Sequence, residues 1–285
     1  MLGAVVGDCI GSFWESTYNK NPNIPLWMPT SRFTDDSVCT SAVASWLVDN
    51  KNLVKEFQSR GRSNINAGFG GNFLAWILAP QPRPYQSWGN GSAMRVSPVA
   101  LWAKDDDHLL DLARESAMPT HDSPQAITGA QATAWAIRKA LEGVAGPDIL
   151  KDVQDRFGYE NLTTRDPVAE RPGHKFDVSC EGTVPLALAI AVRSGSFDEA
   201  MRWCCSMGGD ADTLAAIAGP VCEALYGIPS LHVENTRMRC LLNDDILEPV
   251  LRVYNHPDVQ ARLSAWGKQN MIIEKTSESI VKPHW

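Results

Sequence analysis

Several chemistries are excluded by what this chain lacks. None of its 7 cysteines shows CxxC spacing, which speaks against a zinc ribbon or a thioredoxin-type redox motif. Seven is odd, and Cys204 and Cys205 are adjacent, so a full intramolecular disulfide framework is not expected; the thiols read as small buried hydrophobes in a reducing cytoplasm. No run approaches 18 uninterrupted apolar residues, which excludes a membrane-spanning helix and a membrane partner. The opening Leu2-Gly3-Ala4-Val5-Val6 has no basic segment of a secretory signal, and Asp8 interrupts it. Excess positive charge is missing too. A net charge of −7 argues against a nucleic-acid or anionic-membrane surface, while leaving room for a small anionic ligand held by local amides or metal ions. Internal repeats and low-complexity segments are absent.

Strand signals are equally scarce. Long runs of Val, Ile, Thr and aromatics do not occur, and apolar residues recur at helical spacing instead. Leu2, Val5, Val6, Cys9, Ile10 and Phe13 form one stripe, with Gly3, Gly7 and Gly11 on an adjacent face where a second helix can approach closely. Asp8, Ser12 and Glu15 form a third, polar face. Further helices are expected over about 37–48, 107–118, 124–143, 183–192, 197–207 and 213–226. Glycine and proline mark loops over 61–72 and 79–91, and a polar stretch covers 165–182. The fold class is all-α: a single domain over 1–271, followed by a tail or docked extension over 272–285. With 44% hydrophobic and 21% charged residues the chain is an ordinary globular protein able to bury a large core.

Against this background two short acidic clusters stand out, Thr34-Asp35-Asp36 and Asp210-Ala211-Asp212-Thr213. Four carboxylates and two hydroxyls brought together would make an all-oxygen cage. Mg2+ prefers such a cage and Mn2+ accepts it. Each cluster also reads as a helix start, with a hydroxyl cap and acidic residues in the first turn. Spacing alone does not choose between these readings.

Four segments, in order, resemble the ADP-ribosylglycohydrolase family. They are Gly7-Asp8-Cys9-Ile10-Gly11-Ser12-Phe13-Trp14-Glu15, Phe33-Thr34-Asp35-Asp36-Ser37, Gly89-Asn90-Gly91-Ser92-Ala93-Met94-Arg95 and Gly208-Gly209-Asp210-Ala211-Asp212-Thr213. The first and third are especially similar to the branch that removes ADP-ribose from serine and degrades its polymer. The resemblance implies an orthogonal helical domain whose cleft holds two Mg2+ ions, with Thr34, Asp35, Asp36, Asp210, Asp212 and Thr213 as ligands. It implies hydrolysis of the bond between ADP-ribose and an acceptor, with Glu15, Asp35 and Asp36 as catalytic residues. Glu15 matches a glutamate at the cleft entrance that rides on a mobile flap in the serine-specific branch. Only residues 16–33 separate it from Thr34 here, so such a flap would be short.

The resemblance further implies that Gly89, Asn90, Gly91, Ser92, Ala93 and Met94 hold the diphosphate. Physically, successive amides there can form an anion nest to which the Ser92 hydroxyl adds. His121, just ahead of a helix that Ser123 caps and Pro124 starts, matches a histidine that contacts substrate. Arg95 either binds phosphate or braces the loop, and Asp8 supports the site as an acceptor. The segment Cys180-Glu181-Gly182-Thr183 resembles another stretch lining the family's cleft. None of the 10 tryptophans is singled out as a base platform. The implied partners are ADP-ribose, ADP-ribosylated protein, nucleic acid only as an ADP-ribosylated substrate, and an ADP-ribosyltransferase toxin. Occlusion of such a toxin without catalysis is the alternative function. A general two-metal phosphoester hydrolase is the reading that the acidic cage supports without the resemblance. The acceptor linkage stays open.

Overall fold

The Leu2–Gly11 and Ala211–Tyr226 helices form the central pair of the computed structural model, which describes residues 1–240 and 244–271. They meet along the glycine row. A Cβ on Gly7 would fall 2.1 Å from the Ala215 carbonyl oxygen, and one on Gly11 2.4 Å from Asp212 Cα. Only hydrogen at these positions lets the two backbones touch, and this contact sets Asp8 beside Asp212. Buried Glu223 pins the pair, accepting from the Gly3 amide at 2.7 Å and from the Tyr254 hydroxyl. Gly7→Ala should therefore destabilise the protein by about 1–3 kcal/mol or more through overpacking, despite the better helix propensity of alanine. Denaturant unfolding of the variant measures this, and an unchanged midpoint would refute the close contact.

Around this pair the described residues form sixteen α-helices and no strand, as expected of an all-α chain. The Asp35–Asp49, Pro124–Leu141 and Cys180–Arg193 helices complete the frame, and the buried apolar residues form one core cluster across them. Five expected helices appear close to their sequence bounds, as Asp35–Asp49, Asp106–Ala117, Pro124–Leu141, Phe197–Met207 and Ala211–Tyr226. The sixth begins earlier than expected, at Cys180, because Ser179 caps it by accepting from the Gly182 amide.

Other expectations are corrected. The glycine-rich 61–72 segment is a loop only in part, since it overlaps the Leu53–Ser63 and Gly71–Leu78 helices. Gly61 lies inside the first, where a Cβ would meet Ile77 Cδ1 at 2.6 Å. Its glycine serves helix contact, not a turn. The polar 165–182 stretch holds the Pro167–Glu170 turn, with Asp166 capping it. The first helix ends at Gly11, so Glu15 follows it in a turn instead of extending its polar face. The extension from 272 lies outside the described residues.

Candidate metal centre and ligand cleft

The two acidic clusters meet at the helix starts. Thr34 is the N-cap of Asp35–Asp49, and Asp212 lies in the first turn of Ala211–Tyr226. Thr34 thus both caps its helix, accepting from the Asp36 amide at 3.4 Å, and joins the cluster, whereas Asp210, at the N-cap of the second helix, makes no side-chain cap bond. The hydroxyls of Thr34 and Thr213 approach the same Asp36 Oδ2, at 3.3 and 3.4 Å, although 177 positions separate Asp36 from Thr213. Carboxylate oxygens of Asp8, Asp36 and Asp212 lie within 4.8 Å of one another, as do those of Glu15, Asp210 and Asp212. Asp212 belongs to both groups. Asp35 belongs to neither, yet it lines the same cavity.

Asp8 is wholly buried and accepts from the Thr34 amide (2.9 Å), the Thr34 hydroxyl (2.6 Å), the Ser37 amide (3.1 Å) and the Ser37 hydroxyl. It thus fixes the start of the Asp35 helix. Asn90 braces the other cluster, donating to Asp210 Oδ2 at 2.6 Å and to the Thr183 hydroxyl at 3.1 Å. Its amide is directed at a site carboxylate, a use that the sequence reading missed. Thr183 stands behind it.

No lysine, arginine or histidine forms an ion pair with Asp8, Asp35, Asp36, Asp210 or Asp212 among the described residues. Asp36 Oδ1 is buried with no hydrogen-bond partner among the described residues. Burial, reinforced by Asp8, pushes the Asp35 carboxyl up to about 7. Burial raises Asp36 and Asp212 well above the usual carboxylate range, with repulsion between neighbouring carboxylates adding to it. Buried anions without a counter-charge are strongly unfavourable, and a divalent cation cancels that cost. The donor set, all carboxylate and hydroxyl oxygen, fits Mg2+ or Mn2+.

This arrangement makes stability pH-dependent. Carboxyls raised in the folded state bind more protons folded than unfolded between about pH 4 and 7, so metal-free protein should lose stability as pH rises through that window. In EDTA the Tm should be higher at pH 5.5 than at pH 7.5, and added Mg2+ should raise it more at pH 7.5. A metal-free Tm that rises from pH 5.5 to 7.5 would contradict the geometry.

The acidic centre opens into a cleft of 490 Å3, within the range of small-ligand sites. Its walls include Gly89, Asn90, Gly91, Met94, Arg95 and His121, but not Ser92 or Ala93. The expected nest is corrected accordingly. Residues Gly91–Met94 form a helical turn, in which the Ala93 and Met94 amides donate to the Asn90 carbonyl and the Ser92 hydroxyl donates to Ala126 O at 2.8 Å. The Gly91 and Ser92 amides have no acceptor in the described protein. One antiparallel bridge between Gly89 and Ser179 ties this turn to the Cys180 helix. Arg95 is wholly buried and braces the wall from behind, donating to the Ser116 carbonyl at 2.8 Å.

Sequence reasoning overlooked the aromatic walls. Trp88 lines the cleft at 57% exposure, and Phe176 faces it at 41%. For Trp88 a signal existed, its place immediately before Gly89; for Phe176 there was none. Glu15 is exposed at the rim, and its turn is fastened down. The Ser16 amide donates to Gly209 O at 3.1 Å, and Lys20 Nζ donates to His174 O at 2.7 Å and to Met207 O. Burial, followed by repulsion from Asp210, raises the Glu15 carboxyl.

Comparison with known proteins agrees with this architecture. Residues 1–263 match the ADP-ribosylglycohydrolase family. The ADP-ribosylhydrolase ARH3 of Mus musculus is 23% identical over 308 residues, covering 80% of this chain and 83% of that protein; the Homo sapiens form matches equally, with 84% of it covered. The uncharacterized protein YegU of Escherichia coli K12 is 29% identical over 171 residues, about half of each chain (50% and 51%). A solved ADP-ribosylglycohydrolase-related protein complex shares the fold, with a TM-score of 0.67 over 95% of this chain and 96% of the other at 23% identity. No helix among the described residues is long and apolar enough to cross a membrane. From the glycine row to the acidic helix starts, this chain belongs to the ADP-ribosylglycohydrolase family.

Proposed function

We propose that the protein is a metal-dependent hydrolase that cleaves the glycosidic bond between ADP-ribose and an acceptor, reversing ADP-ribosylation. The observation that carries this reading is the meeting of two uncompensated carboxylate groups, sharing Asp212, at the floor of a nucleotide-sized cleft. Thr34, Asp35, Asp36, Asp210, Asp212 and Thr213 would hold two Mg2+ ions, with Mn2+ an accepted substitute; Glu15 and Asp8 lie close enough to contribute. Bound ions would neutralise the carboxylates, orient ribose hydroxyls and polarise water.

The chain's own residues supply the rest. Trp88 and Phe176 offer flat apolar walls to the adenine, and the Gly91 amide, without an acceptor in the described protein, offers a donor to the diphosphate. This leaves the ribose C1″ beside the acidic floor. Cleavage there passes through an oxocarbenium-like state, which nearby carboxylates stabilise. Water bonds to C1″ as the C1″–acceptor bond breaks. Glu15, with its raised carboxyl at the solvent rim, takes one proton from the attacking water and releases it to the departing acceptor, which leaves protonated, so that Glu15 returns to its ionised state.

A panel of serine-, arginine-, O-acetyl-, polymer- and nucleic-acid-linked ADP-ribose, assayed with Mg2+ and with EDTA, tests the proposal. Turnover of one linkage class, lost in EDTA, is expected. No turnover of any linkage by folded, metal-loaded protein would defeat it. Occlusion of an ADP-ribosyltransferase toxin, by contrast, would survive mutation of Asp35 and Asp212.

A further inference from the structure

Behind the cleft wall runs a chain of side chains that the reaction above does not employ. Arg95, stacked 4.5 Å from the centre of the Phe57 ring, donates through Nη2 to the Thr120 hydroxyl at 2.9 Å. Thr120 is wholly buried, and its hydroxyl oxygen lies 2.7 Å from His121 Nδ1. The guanidinium occupies one lone pair of that hydroxyl. Its single proton then has one acceptor among the described residues, His121 Nδ1. Were Nδ1 to carry a proton and donate instead, the threonine proton would be buried without a partner, which is strongly disfavoured. A doubly protonated ring is opposed by burial and then by Arg95, which together hold His121 well below the ordinary histidine range.

The far side of the ring faces the ligand. His121 lines the cleft, and its Nε2 lies 2.9 Å from where a Cβ on Gly91 would sit and 3.7 Å from that of Gly89. Nothing in the described protein accepts a hydrogen bond from Nε2. We infer that Arg95 and Thr120 are positioning residues that lock His121 as the neutral Nε2–H tautomer, so that it presents a fixed N–H donor to an acceptor oxygen of the ligand beside the Gly89–Gly91 wall. That this oxygen belongs to the phosphate or ribose of ADP-ribose rests on the proposed function. The tautomer does not.

The test is a two-bond 1H–15N correlation spectrum of the metal-loaded full chain labelled at histidine, with His121 assigned by its loss in His121→Gln. At pH 7 a pyridine-type Nδ1 and a pyrrole-type Nε2 are expected. Thr120→Ser should preserve the pattern. Thr120→Val should shift it toward mixed tautomers and weaken ADP-ribose binding roughly 3- to 10-fold, the loss of one oriented hydrogen bond. An Nδ1–H or imidazolium pattern in the unmodified protein would overturn the inference, and that spectrum decides even if Thr120→Val does not fold. ADP-ribose binding that leaves the Nε2 resonance unmoved would overturn the donor role. The expected tautomer with no ADP-ribose binding would support the lock while removing the proposed function.

Discussion

Replacing Asp212 with alanine is expected to remove activity and most metal binding together. Asp212 is the one carboxylate shared by both ligand groups, and it is 4% exposed. Without it, two cations would face a poorer oxygen set, and the repulsion that they relieve would be smaller. If the metals supply several kcal/mol of charge stabilisation, turnover should fall on the order of 10³-fold or more, at about 1.36 kcal/mol per tenfold. Removing one buried, repelling carboxylate should leave the metal-free fold as stable as before or more so, since burial and its neighbours oppose its charge. A carboxylate serving only the helix dipole would instead contribute about 0.3–1 kcal/mol to stability. Calorimetric metal titration, turnover and metal-free unfolding on one variant separate these cases. Normal metal stoichiometry with normal turnover would rule out the shared ligand.

Glu15→Gln should lower turnover by roughly 10²–10⁴ while keeping side-chain size and hydrogen-bonding capacity. Affinity for ADP-ribose should change far less, because the cleft walls proposed to bind it lie elsewhere. The structure sharpens the experiment by placing a Glu15 oxygen within 4.8 Å of oxygens on Asp210 and Asp212. Loss of metal along with turnover would make Glu15 a ligand, and loss of turnover alone would make it the base. Unchanged turnover would remove it from the reaction. The fastening of residues 16 and 20 to the 207–209 segment holds Glu15 in place in this structure.

The acidic clusters were legible because each is contiguous and each begins a helix, so local sequence carried both facts. The glycine row was legible for a similar reason: its four-residue period implies one face whatever packs on it. What escaped depends on partners remote in sequence. Nothing near Ser92 indicates that its hydroxyl turns to Ala126, nor does anything near Asn90 point to Asp210, 120 positions away. Gly61 misled because glycine signals a turn as readily as a tight helix contact, and only Ile77 decides. The role of Arg95 depends on an environment that its neighbours in sequence do not specify. Buried against carbonyls, Arg95 braces the wall, and its Nη2 also donates to the Thr120 hydroxyl beside His121.

The central claim is cleavage at the glycosidic carbon, and the identity of the product tests it most directly. Metal-loaded protein should be incubated with an ADP-ribosylated substrate from the responsive linkage class, and its products resolved by mass spectrometry. Intact ADP-ribose and unmodified acceptor are expected, in equal amounts and only with divalent metal present. AMP together with an acceptor still bearing phosphoribose would instead show cleavage at the diphosphate, and would contradict the account.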